Sequence, residues 1–84
     1  MNRYLVYLLR HPDVDPAVVP LHIAFLDDLR AQGRIELSGG FSDKSGGAYL
    51  LRADDLAAAQ ATVQRDPAHT SGGWTITVHE WLAR

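Results

Sequence analysis

Arg34–Arg52 reads "RIELSGGFSDKSGGAYLLR", two apolar runs around a polar centre. In an extended chain Ile35 and Leu37 fall on one side and Glu36 and Ser38 on the other, the period-two pattern of a half-buried strand. Ser42–Gly46 supplies turn residues, and "GGAYLLR" carries the chain back. The stretch predicts a β-hairpin. Three Ser-Gly-Gly triplets begin at Ser38, Ser45 and Ser71, but all lie in or just before strands. A phosphate cradle needs its amides aimed into a helix N-terminus, so these glycines read as bulges and turns.

What flanks the hairpin decides the fold. On its N-terminal side Val18, Phe25, Leu26 and Leu29 recur at helical spacing, with Asp15 as N-cap, Pro16 in the first turn and Gly33 just past the end. This predicts a helix from about Pro16 to Gln32. On the C-terminal side Asp54 or Asp55 caps "LAAAQATVQR", whose Leu56, Ala59 and Val63 form a narrow apolar stripe. Asp66 and Pro67 end that helix, because the residue before a proline is pushed out of the α region. Further out, "NRYLVYLLR" (Asn2–Arg10) reads as a strand closed by the loop "HPDVDP", and "WTITVHEW" (Trp74–Trp81) as a final strand after the loop "AHTSGG". The order βαββαβ predicts one α+β domain over residues 1–84: a ferredoxin-like unit with a four-stranded antiparallel sheet and two helices on one face.

Composition narrows the function classes. A formal charge of −2 with scattered arginines offers no cationic stripe for a phosphate backbone, which argues against nucleic acid. The lack of cysteine removes disulfides, thiolate metal sites and cysteine nucleophiles, and makes the cytoplasm the expected location. "MNRYLVYLLR" holds too short an apolar run for a signal peptide core or a bilayer span, so no membrane association is expected. His11, Asp13 and Asp15 alternate in a proline-rich turn without the glycine and distant glutamate of a calcium loop, and the four histidines lack zinc spacing. No serine sits in a nucleophile elbow. Neither a metal nor a cofactor is expected.

The first strand is apolar on both faces, with Tyr4, Val6 and Leu8 on one and Leu5, Tyr7 and Leu9 on the other. Two helices cover one face only. Tyr49, Leu51 and Trp81 are expected to extend the open one, which then meets either a second copy of the chain, as a homodimer, or a ligand chamber in which Tyr7 contacts the bound molecule. A chain of 84 residues buries only roughly 60 to 65% of its unfolded surface, so a partner subunit adds needed burial.

His22 falls among the apolar residues of the first helix, one turn after Val18 and one before Leu26. A desolvated imidazole needs partners for its nitrogens. In the βαββαβ arrangement the start of the first helix and the end of the second share one end of the sheet, and neighbouring helices roughly 8 to 10 Å apart bring Asp66 within reach of His22. An aspartate at a helix C-terminus faces the negative end of the dipole and calls for a donor. Such a pair suits general acid–base chemistry. The loop "HPDVDP", Asp43 and Lys44 of the hairpin turn, and His69, Thr70 and Ser71 are expected to rim a pocket there. The competing reading is a packed core histidine beside a helix-stop aspartate.

The segments "LHIAFLDDLRAQGRIELSGGFSD", "GGAYLLRADDLAAAQATVQRDP" and the closing "VHEW" resemble the YciI-like (YCII-related) proteins in order and spacing along essentially the whole chain. The resemblance implies a dimeric α+β barrel of ferredoxin-like units and an active-site pair of a helix histidine and an aspartate before proline, which by position are His22 and Asp66. It also implies that Ser38 and Gly39 line the same cleft. "DPAVVP" lacks the arginine that members of the family often carry ahead of the histidine, and Ala68 replaces an aromatic after the Asp-Pro pair. Two functions are expected from this reading. One is a lyase, isomerase or hydrolase-type enzyme using His22 and Asp66 on a small molecule in a dimer cleft; the other is a non-catalytic metabolite-binding or accessory interaction protein.

Overall fold

The computed structural model describes residues 1–84. Its elements are β1 (Asn2–Arg10), α1 (Val18–Ala31), β2 (Ile35–Gly40), β3 (Gly46–Ala53), α2 (Leu56–Val63), α3 (Pro67–Ser71) and β4 (Trp74–Glu80). The strands form one antiparallel sheet in the order β2-β3-β1-β4. The ferredoxin-like α+β architecture is therefore present, with the helices on one face.

Register explains which side chains are inside. Pairing of β1 with β3 places Leu51 opposite Tyr4 and Tyr49 opposite Val6, and directly opposed residues share a face. Tyr4, Val6, Leu8, Tyr49 and Leu51 are accordingly buried together with Leu26 and Leu29 of α1 and Val63 of α2. This corrects the expected side of Tyr49 and Leu51, which lie under the helices. β3 is apolar on both faces, so the alternation of its sequence could not fix its phase.

The uncovered face carries Tyr7, 38% exposed, Leu9, 42% exposed, and Leu37, 71% exposed. Tyr7 stacks on Phe41 with ring centroids 5.5 Å apart. Beside them Glu36 draws the Arg3 guanidinium to 3.2 Å and that of Arg52 to 3.7 Å. The central Leu50, outside the main core, is buried beneath its neighbours on this face.

One helix start differs from the sequence reading. α1 begins at Val18 rather than Pro16, because Asp15 caps a preceding turn: its carboxylate accepts from the Ala17 N–H at 2.9 Å, and its carbonyl accepts from Val18. The far end closes as expected. Gly33, at φ 74°, donates to the Arg30 carbonyl and Arg34 to that of Leu29, both at 2.9 Å, the paired bonds of a Schellman motif. α2 is capped by Asp55, whose carboxylate accepts from the Ala58 N–H at 2.7 Å.

α3 was expected to be loop. Asp66 does leave the α region, at φ −64° and ψ 129°, as the proline after it requires. Pro67 then opens a new helical turn, where its lack of an N–H is no loss because first-turn N–H groups have no partner within the helix. One dipeptide both stops a helix and starts another. α1 packs chiefly against α3. In addition, β3 approaches β2 so closely that a Cβ on Gly47 would lie 2.6 Å from the Gly39 carbonyl oxygen, which restricts the position to glycine. No helix is long and apolar enough to cross a membrane.

Candidate active site

α1 places His22 on its inner side and the α2–α3 junction places Asp66 beneath it. His22 Nδ1 lies 2.8 Å from Asp66 Oδ1 and 2.9 Å from Oδ2. Asp66 is fully buried, at 0% exposure. Its carboxylate also accepts the Tyr49 hydroxyl at Oδ2, 3.1 Å away, and the Ala68 N–H at Oδ1, 2.9 Å away. Three donors thus compensate one buried acid, which is what its burial demands.

The reason expected for the aspartate's partner needs correction. Asp66 does not face the negative C-terminal end of α2; it is the N-cap of α3, where an N–H points at it. Its geometry is set from two sides, by the backbone of α3 and by Tyr49 of β3. Burial, followed by the charge of Asp66 and the hydrogen bond to it, pushes the Tyr49 phenol above its ordinary range and keeps it a donor.

A carboxylate only accepts, so Nδ1 carries the hydrogen of this contact and the tautomer follows from it. Nε2 has no partner in the chain, yet it is not among the sealed unpartnered atoms. The imidazole is therefore anchored at one nitrogen and available at the other. That is the arrangement from which a side chain can take a proton from a bound molecule and return it.

His22 opens onto a cavity of about 430 Å³ between α1 and the β2–β3 hairpin, a volume typical of small-molecule sites. Val19, His22, Ile23, Leu26, Asp27 and Arg30 line it from α1. Their spacing of three and four residues is a single helical stripe. Ser38 and Gly39 line the opposite wall. Tyr7 does not: β1 turns it to the sheet face opposite that of Leu8 and Arg10, where it packs on Phe41. The cavity is walled by α1 and so lies on the helix-covered side of the sheet.

The expected rim is also only partly found. Lys44 lines the cavity, whereas Asp43 turns back to accept from the Ser45 N–H at 3.0 Å and its hydroxyl at 2.6 Å. Those two bonds hold the Asp43 carboxyl below its ordinary range. His69 lines a separate shallow depression with Gln60 and Gln64. The sequence reading missed Arg10, Arg30 and Tyr49. Arg30 was legible as the next position on the His22 and Leu26 stripe; Tyr49 was hidden by the ambiguous phase of β3.

Comparison with known proteins identifies relatives in sequence and in fold. The chain is 38% identical over 81 residues to "Uncharacterized protein YjpA" of Bacillus subtilis (strain 168), covering 96% of this chain and 95% of that one. Its fold matches 5-chloro-2-hydroxyhydroquinone dehydrochlorinase (TftG) from Burkholderia phenoliruptrix AC1100, solved in complex with 2,5-dihydroxybenzoquinone. The TM-score is 0.78 at 23% identity, covering 94% of this chain and 92% of that one. The model of the YCII-related domain matches residues 2–82, and the chain belongs to that family.

Proposed function

We propose that the protein is a small-molecule enzyme in which Nε2 of His22 moves a proton to and from a ligand held in the cavity, while Asp66 fixes the ring. The observation that carries this reading is the buried contact of 2.8 Å at Nδ1 beside an accessible Nε2 and an open cavity. Ser38 and Gly39 form the wall that faces the histidine across the bound molecule. The dehydrochlorinase of the same fold, bound to a quinone, supports a compact ring compound as ligand and an elimination or isomerisation as the reaction. In an elimination of hydrogen chloride, Nε2 takes the proton, its electron pair forms the new double bond and chloride leaves. The second copy of the chain packs on the open sheet face, covering Tyr7, Leu9 and Leu37, which are exposed in the single chain.

The test is a kinetic screen of chlorinated hydroquinones and lactones with the wild type and His22→Asn, reading chloride release and ring absorbance. The proposal expects turnover in the wild type and a loss of about 10²–10⁴-fold in the variant. Equal turnover in both contradicts the role of His22, and binding without turnover leaves the protein in the metabolite-binding class.

A further inference from the structure

The cavity wall has a charge imbalance that the proton-transfer reading does not use. Arg10, Arg30 and Lys44 line it, against the single carboxylate of Asp27. Asp27 is already engaged, because its oxygen lies 3.0 Å from the Arg30 guanidinium, which also donates to the Ser38 hydroxyl. The remaining ion pairs of the chain, Arg3 and Arg52 with Glu36 and His22 with Asp66, lie elsewhere or at the histidine itself. Arg10 and Lys44 therefore have no carboxylate partner. The nearest acid in sequence, Asp43, accepts from the Ser45 N–H and hydroxyl at Oδ1 and makes no ion pair with Lys44.

This local excess of positive charge opposes the whole chain, whose formal charge is −2. The two free cations are also held at one place: the Arg10 N–H bonds the Ser45 carbonyl at 2.8 Å, tying the end of β1 to the turn that carries Lys44. Lys44 sits at φ 63°, in the left-handed region that glycine or asparagine occupies with less strain. Leu8, Val19, Ile23, Leu26 and Trp74 make up the apolar part of the wall.

We infer that the ligand of this cavity is a compact organic anion, with a carboxylate or an ionised enol or phenol held by Arg10 and Lys44 and an apolar body reaching toward His22. The inference rests on the proposed function for the role of His22, and deepens it by naming the substrate class. A cationic end also suits the chemistry: when Nε2 takes a proton, the electron pair stays on the ligand, and a fixed guanidinium and ammonium stabilise the negative charge that results. Charge-assisted contacts of this kind give orientation as well as affinity.

The test uses a matched pair of probes, benzoate and benzamide, which share shape and differ in charge. Titrations are followed by the amide resonances of Gly39, Gly40 and Gly47, all at the cavity wall. For the wild type we expect benzoate to bind about tenfold more tightly than benzamide, the size of one charge-assisted hydrogen bond, with the preference shrinking at high salt. Arg10→Gln with Lys44→Gln brings the two probes to within about twofold, the residual left when such a bond is removed. Lys44→Asn, which suits the left-handed backbone, repeats the loss in part in a chain that keeps its fold. Equal binding of the probes to the wild type, no binding of either at millimolar concentration, or a preference that survives the double substitution overturns the inference. The preference persists in His22→Asn, so a failure of the proton-transfer reading and a failure of the anion assignment give different results.

Discussion

Tyr49→Phe removes one oxygen from a side chain that is 1% exposed, and that oxygen is one of three donors to Asp66. The ring stays, so no cavity larger than the hydroxyl is left. A hydrogen bond to a charged group contributes about 1.5–3 kcal/mol, and Oδ2 keeps its contact of 2.9 Å with His22, which puts the expected cost near about 1.5 kcal/mol. For a domain of this size that lowers Tm by about 6–12 °C. The pH dependence supplies a second signature. The folded tyrosine's pKa is raised above its ordinary value of 10.0, so above that pH the unfolded chain releases this proton first and binds fewer protons than the native one. Stability from this group is complete below pH 10 and falls as pH rises beyond it, by about 1.4 kcal/mol per unit. Phenylalanine has no such proton. The advantage of the wild type in urea unfolding, followed by circular dichroism, is therefore largest at pH 7 and 9 and shrinks by pH 11. A variant as stable as the wild type at pH 7, or a gap that stays constant through pH 11, refutes the assignment of Tyr49 as a neutral donor to a buried carboxylate.

Gly33→Ala places a Cβ at a φ of 74° in the Schellman motif and is expected to cost about 1 kcal/mol, read as a shift in urea midpoint with unchanged slope. Leu9→Glu introduces a charge on the open sheet face, where Leu9 is 42% exposed in the single chain. Light scattering is expected to give twice the chain mass for the wild type and the single-chain mass for the variant, and a wild type of single-chain mass rejects the proposed pairing.

The fold was legible because most elements carried an independent local signal: a tyrosine-, valine- and leucine-rich run in β1, alternation in β4, a glycine stop after α1, and an aspartate cap before α2. In β2 a bulge between Ile35 and Leu37 puts on opposite faces two residues that simple alternation put on one. Where two signals shared the same residues, the reading failed. Asp66 and Pro67 served as a stop and also as a start, so α3 was missed and the dipole argument took the wrong sign. The His22 and Asp66 contact was nonetheless anticipated, because the chain path brings that junction under α1 whichever helix owns the aspartate. Strand phase was the other obstacle. Tyr49 and Leu51 belong to a strand apolar on both sides, and only pairing with β1 decides which side faces the helices. Tyr7 was assigned to a ligand on the same ambiguity and lies across the sheet from the cavity.

The most direct test of the His22 and Asp66 arrangement needs no ligand: the nitrogen chemical shifts of the His22 ring, measured by long-range proton–nitrogen correlation at a pH where the ring is neutral. Nδ1 protonated and Nε2 bare, the reverse of the form dominant in free histidine, is the predicted result, reverting to Nε2–H in Asp66→Ala. A neutral ring carrying its proton on Nε2 in the wild type contradicts the account, because the nitrogen not held by Asp66 would then be unable to accept a proton.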